Sequence, residues 1–117
     1  MSIVLGMAGE EAAKKFLMTQ GLSWIASNYH CRFGEIDLIM QDGDYLVFIE
    51  VRQRRSMMFG GALASITDVK QKKLIKSVQH YQLTQKKLSK NPCRIDVLTL
   101  QGTPPKIDWI KNAIFGP

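Results

Sequence analysis

Apolar side chains recur at helical spacing near the start of the chain. Over residues 7–20, Ala8, Ala12, Ala13, Phe16 and Leu17 fall on one face, and Gly21 stands where a left-handed C-terminal cap belongs. Residues 22–29 hold Trp24, Ile25 and Tyr29 without clean alternation and are expected to form a strand. The centre is clearer: Glu35-Ile36-Asp37-Leu38-Ile39 alternates acid with aliphatic, and residues 45–52 are rich in β-formers. Between them, Gln41-Asp42-Gly43-Asp44 predicts a type I′ hairpin turn, which needs positive φ at both central residues. A second helix is expected from Thr67 or Asp68 to Thr84, burying Val69, Leu74, Val78 and Tyr81. Asn91-Pro92 breaks the chain and residues 93–100 read as another strand. After Pro104-Pro105, an apolar tail with Ile107, Trp109, Ile110, Ile114 and Phe115 is expected to dock on the sheet. The order helix, three strands, helix, strand predicts one α/β domain over residues 1–117, its helices covering a mixed sheet.

The hairpin has two unlike faces. With Asp42 and Gly43 as the central turn residues, Asp37 faces Phe48 and Glu35 faces Glu50. Strand side chains alternate, so Glu35, Asp37, Phe48, Glu50 and Arg52 share one side, and Ile36, Leu38, Val47, Ile49 and Val51 the other. Asp37 and Glu50 become diagonal neighbours, with backbones about 7–8 Å apart. Carboxylates so placed can reach one cation. Three acids on one face repel each other and ask for a counter-charge. Arg52 supplies part of it, and a hard divalent ion with oxygen ligands, Mg²⁺ or Mn²⁺, could supply the rest. An exposed face carrying an Arg–carboxylate salt bridge satisfies the same spacing, and the pattern alone leaves both readings open.

Composition narrows the class. At 117 residues, 45% hydrophobic and 22% charged, the chain is ordinary globular material for one domain. Glu10, Glu11, Lys14 and Lys15 interrupt the first apolar stretch, so neither a targeting segment nor a membrane span is expected. Cys31 and Cys93 lie far apart in no CxxC pair, which argues against a disulfide framework or a zinc knuckle. A reducing, cytoplasmic setting is the expectation. The net charge of +6 is unevenly spread: residues 1–50 hold three basic and seven acidic side chains, and residues 51–95 hold eleven basic side chains and one acid, Asp68. Such asymmetry suggests a cationic surface beside a cluster of acids, although solvated lysines on a helix face are the plainer account.

The sequence also carries a resemblance. Gly34-Glu35-Ile36-Asp37-Leu38-Ile39, a short turn, then Val47-Phe48-Ile49-Glu50-Val51-Arg52 with Arg54 soon after, closely resembles the YraN-like family of small bacterial proteins. The likeness takes in Gly9-Glu10 and Ala13, Asn28-Tyr29-His30-Cys31-Arg32-Phe33-Gly34, Phe59-Gly60, Lys70-Gln71 and Arg94-Ile95-Asp96-Val97. Members of that family look like Holliday-junction resolvases. The resemblance therefore implies a restriction-endonuclease-like, PD-(D/E)XK fold with a three-layer core, and a metal-dependent endonuclease acting on DNA, branched or otherwise non-canonical. By position, Asp37 becomes the metal-binding aspartate, Glu50 the acid of an E-x-K element, and Glu10 the helix-borne acid that completes the Mg²⁺ or Mn²⁺ site. For Glu10, a first-turn acid that favours the helix dipole is the alternative.

Arg52 stands where the family motif has lysine. Arginine stays protonated in proteins, so it can offset phosphate charge but cannot serve as a base. Two functions therefore compete: a nuclease in which Arg52 clamps the phosphate, and a non-catalytic nucleic-acid-binding protein that keeps the fold. Arg54, Arg55, Lys70, Lys72, Lys73 and Lys76 are the candidate contacts to a DNA or RNA backbone, with Gln71 a lesser candidate. His30 and His80 lack metal-ligand spacing, while Trp24, Trp109, Tyr81 and Phe115 are expected in the core. Asp96 is expected to be a buried structural partner, for Arg94 or a helix-end amide. A homodimer is an expectation by analogy with resolvase-like proteins alone.

Overall fold

A computed structural model describes residues 3–54, 66–85 and 90–115, with side chains excluded for residues 3–7 and for Arg54. Helix α1 (Ile3–Thr19) opens the chain. It stops in a Schellman arrangement: Gly21 takes φ +97, its N–H bonds to the Met18 carbonyl, and the Leu22 N–H reaches back to Leu17. Strands β1 (Ser23–Cys31), β2 (Gly34–Asp42) and β3 (Tyr45–Arg54) follow as two antiparallel hairpins. Helix α2 (Asp68–Thr84) then carries the chain over to β4 (Cys93–Gln101), which pairs with β3 in parallel. Thr67 caps α2, its hydroxyl accepting from the Lys70 N–H at 3.2 Å.

The two helices cover opposite faces of the sheet. Ala13 and Leu17 of α1 pack with Leu38, Met40, Val47 and Ile49. On the other face, Leu74, Val78 and Tyr81 of α2 pack with Ile39, Phe48, Ile95 and Val97. The expected α/β domain with a mixed sheet is therefore present as three layers. No helix among the described residues is long and apolar enough to cross a membrane.

Five details depart from the sequence expectation. The tail docks as a strand of its own, β5 (Lys106–Ile114), antiparallel to β4 at the sheet edge. The β2–β3 turn closes on Asp42 and Tyr45, so Gly43 and Asp44 are its central residues. Gly43 has φ +60 and Asp44 has no positive φ, the pattern of a type II′ turn with glycine first. Val69 is 62% exposed because it lies five residues before Leu74, about 140° round the helix; Ser77 is buried instead. Ile36 packs in the α2 cluster although Leu38 packs under α1, so alternation breaks between them. Opposite that break Asn28 takes φ +54, which turns the β1 backbone out of its regular pleat. Finally, Trp24 and Phe115 are 45% and 75% exposed, Trp24 lying beneath the Lys14 ammonium rather than in the core.

Candidate active site

The shifted turn moves every cross-strand partner by two residues. An even shift by itself turns no side chain to the other face but changes what each meets. Continued beyond its last pair, Leu38 with Ile49, the ladder would set Asp37 directly across from Glu50 and Glu35 across from Arg52. Backbone pairing stops there. In its place the Asp37 carboxylate accepts a hydrogen bond from the Val51 N–H at 2.8 Å. The strands part where the acids lie, and a cavity of about 460 Å³ opens between the helical layers.

Asp37 is only 8% exposed. Burial raises its pKa above the ordinary aspartate range, opposed chiefly by the Val51 N–H and by a hydrogen bond with Glu50. Glu50 is pushed up to about 8, first by burial and then by the charge of Asp37 and their mutual hydrogen bond. Arg52 and Lys70 pull the other way, the Arg52 guanidinium lying 3.6 Å from a Glu50 oxygen. Two buried carboxyls in contact behave as one unit that retains a proton near neutral pH.

Glu10 lines the same cavity from the α1 side. Burial and the nearby charge of Asp37 raise its pKa, while a hydrogen bond from the Asn28 side chain lowers it. Among the described residues, no three Asp, Glu, His or Cys side chains gather tightly enough to hold one ion. Glu10 thus faces the Asp37–Glu50 pair without closing on it.

The basic candidates divide. Lys70 and Lys73 line the cavity, whereas Lys72 and Lys76 are exposed on α2 outside its lining. Gln71 turns inward and donates to the Ile66 carbonyl at 3.1 Å, a bond that secures the approach to α2. Arg55, the Arg54 side chain and Phe59-Gly60 lie outside the described residues. His30 pairs with Glu35 on the surface, and His80 shares a hydrogen bond with the Tyr29 hydroxyl. Asp96 is structural as expected, although its amide partner belongs to Asn112 of a strand rather than to a helix end. Sequence reasoning missed two residues. Gln53 lines the cavity and presses against Gly9, where a Cβ would come within 2.6 Å of its Oε1. Asn28 carries a left-handed backbone inside a strand, which no spacing rule announces.

Comparison with known proteins is consistent in one direction. The family model described as "Uncharacterised protein family UPF0102" matches residues 9–100, a span that includes Glu10, Asp37, Glu50 and Arg52. A UPF0102 protein of Legionella pneumophila (strain Corby) is 51% identical over 108 residues, covering 92% of each chain. Another, from Saccharophagus degradans, is 48% identical over 92% of this chain and 90% of its own. One from Neisseria gonorrhoeae is 47% identical over 92% and 91%. On a match spanning the helix, the hairpin and the last core strand together, the chain belongs to the UPF0102 family.

Proposed function

We propose that this protein is a metal-dependent phosphodiesterase that cuts DNA, with Asp37 and Glu50 at its centre. The observation that carries the reading is the geometry of the pair: Asp37, 8% exposed, and Glu50 line one cavity together with Arg52, Lys70 and Lys73. A proton is the smallest cation such a pair can share, and a divalent ion is the stronger one. The donor set fits Mg²⁺ or Mn²⁺, which bind through one or two carboxylates and keep much of their water. Asp37 and Glu50 would hold the ion, with the Val51 carbonyl as a further oxygen and Glu10 facing it across the cavity. Bound there, the ion would supply Lewis acidity at the scissile phosphate. The resemblance to resolvase-like nucleases supports the same assignment.

The other residues do work of their own. The Arg52 guanidinium would offset charge on a phosphate and cannot stand in for a base. Lys70 and Lys73 would hold the strand by point charge on the side of α2. Water activation then falls to the acids and the ion, because the motif lysine is missing.

The test is incubation of labelled branched, flapped and single-stranded DNA with Mg²⁺, Mn²⁺ or EDTA, alongside the Asp37→Ala and Glu50→Ala proteins. Metal-dependent cutting that both substitutions abolish is the expected result. Cutting that survives both would remove these residues from the mechanism. Salt-sensitive binding with no cutting would favour the second reading, a binding protein, for which the Arg52–Glu50 ion pair is the supporting observation. Arg52→Lys separates the two readings again: it keeps or raises the rate of an enzyme and leaves a pure binder inactive.

A further inference from the structure

The β1–β2 turn breaks a local rule. Cys31 pairs with Gly34, so Arg32 and Phe33 are the two central residues of a tight hairpin. Such positions usually go to glycine, asparagine or aspartate, and neither Arg32 nor Phe33 adopts a positive φ. A bulky aromatic placed there needs a reason outside the turn. Part of it is packing: the Phe33 ring meets the edge of His80 at 6.2 Å, which ties the turn to α2. Packing leaves Phe33 only half-buried, and cations gather round it. The Arg32 guanidinium lies 4.7 Å from the ring centroid and the Lys76 ammonium 5.9 Å. Gly34, the next residue, lines the acidic cavity together with Lys73.

We propose that Arg32 and Phe33 form a stacking platform for an unpaired nucleic-acid base, so that single-stranded tails and branch points are held beside the cavity in preference to intact duplex. The proposal rests on the nuclease reading above and names the substrate feature that this site selects. A guanidinium plane over a phenyl ring offers flat surfaces on which any base can lie, since every base has a π-face. Neither group presents a hydrogen-bond pattern to base edges, so the selection is for exposure of a base rather than for its identity. Lys76 lies 5.9 Å from the Phe33 ring and Lys73 lines the neighbouring cavity, so both can meet phosphates beside a stacked base. An intact duplex has its bases stacked on one another and offers the platform nothing.

The test measures binding in EDTA, where no cutting occurs, for a blunt duplex and for the same duplex with a short single-stranded tail carrying a fluorescent purine analogue. The native protein is expected to prefer the tailed duplex by roughly 5- to 150-fold, the range for one stacked base, and to quench the analogue. Phe33→Leu keeps an apolar contact with His80 and is expected to lose both the preference and the quenching, with blunt-duplex affinity unchanged. Arg32→Lys keeps the charge without the plane and should lose part of the preference. Should Phe33→Leu fail to fold, Phe33→Trp serves, since a larger ring is expected to hold or strengthen the preference. Unaltered preference in Phe33→Leu, or a weakened one in Phe33→Trp, overturns the platform while leaving the nuclease reading intact. A native protein that binds tailed and blunt DNA equally also overturns it. Failure to bind any DNA removes the nuclease reading and the platform together.

Discussion

The sheet buries acid on both faces, and the two faces treat it in opposite ways. On the face that α1 covers, Asp96 is fully buried and its carboxylate is saturated. Arg94 Nε reaches both oxygens at 3.0 and 3.2 Å, Trp109 donates at 2.9 Å, and the Asn112 N–H donates at 2.8 Å. Arg94 also bonds to Asp42 at 2.8 Å, joining the β2–β3 turn to β4. On the face that α2 covers, Asp37 is 8% exposed and Glu50 is only partly buried; the Val51 N–H reaches Asp37 at 2.8 Å, and the Arg52 guanidinium lies 3.6 Å from Glu50. A buried charge with its full complement of donors holds a structure together. A buried pair short of positive charge is a place where a cation can bind. The contrast separates a structural acid from a candidate active-site acid without reference to any family.

The largest expected effect breaks the Asp96 network. Asp96→Ala strands the buried Arg94 with Asp42 alone and leaves two further donors without an acceptor. It is expected to cost about 3–5 kcal/mol in urea unfolding. Asp37→Ala should change stability by less than about 1 kcal/mol, since removal of the Val51 hydrogen bond is offset by relief of Glu50. Equal losses at the two sites would erase the distinction.

A pH series sharpens it next. Glu50 has a folded-state pKa of about 8, above its ordinary value of 4.5, so between those pH values the folded protein binds the extra proton. Stability from this group is therefore full below about pH 4.5 and falls as pH rises towards 8, by at most about 1.4 kcal/mol per pH unit. Glu50→Gln should flatten that slope. Mn²⁺ should restore stability at alkaline pH in the native protein alone, with proton release on binding visible by calorimetry in two buffers. A slope unchanged by Glu50→Gln would show that the pair does not share a proton.

The smallest effect concerns the cationic wall. Lys73→Ala is expected to reduce the slope of log affinity against log salt by about 0.9 on duplex, the increment for a single neutralised phosphate. Lys106→Ala, at the start of the edge strand β5, should leave that slope unchanged. Equal effects from both lysines would mean that DNA meets general surface charge rather than the α2 face.

Much of this arrangement could be read in the chain, for reasons that differ by element. Apart from Ile36, the faces of β2 and β3 followed from period-two alternation, and they survived a wrong turn assignment because the register error was even. The exact partner of Asp37 did not, since Asp42-Gly43 and Gly43-Asp44 both put the glycine where positive φ is needed. The bounds of α2 were marked by Thr67 and Thr84, whereas Val69 misled because an apolar side chain in a first helical turn need not face inward. Asp37 and Glu50 were picked out by the hairpin spacing, which equally allows a plain salt-bridged face, and Glu10 only by the family pattern. Strand β5 did carry a signal, Ile107 and Trp109 alternating with Lys106 and Asp108, but the double proline before it and Asn112 at φ +52 blurred its limits. Asn28 had only a weak one: asparagine is among the few residues that readily enter the left-handed region, but spacing does not say where.

The parallel pairing of β3 with β4 has a consequence in time rather than in space. The two hairpins that bring Asn28, Asp37 and Glu50 together close over short stretches of chain, and short loops close quickly. Joining β4 to β3 must wait for the whole crossover through α2, which makes it the high-contact-order step. The acidic pair is therefore expected to take shape early in folding and the Asp96 network to seal last. Substitutions round Asp96 would then act mainly on how fast the finished protein opens.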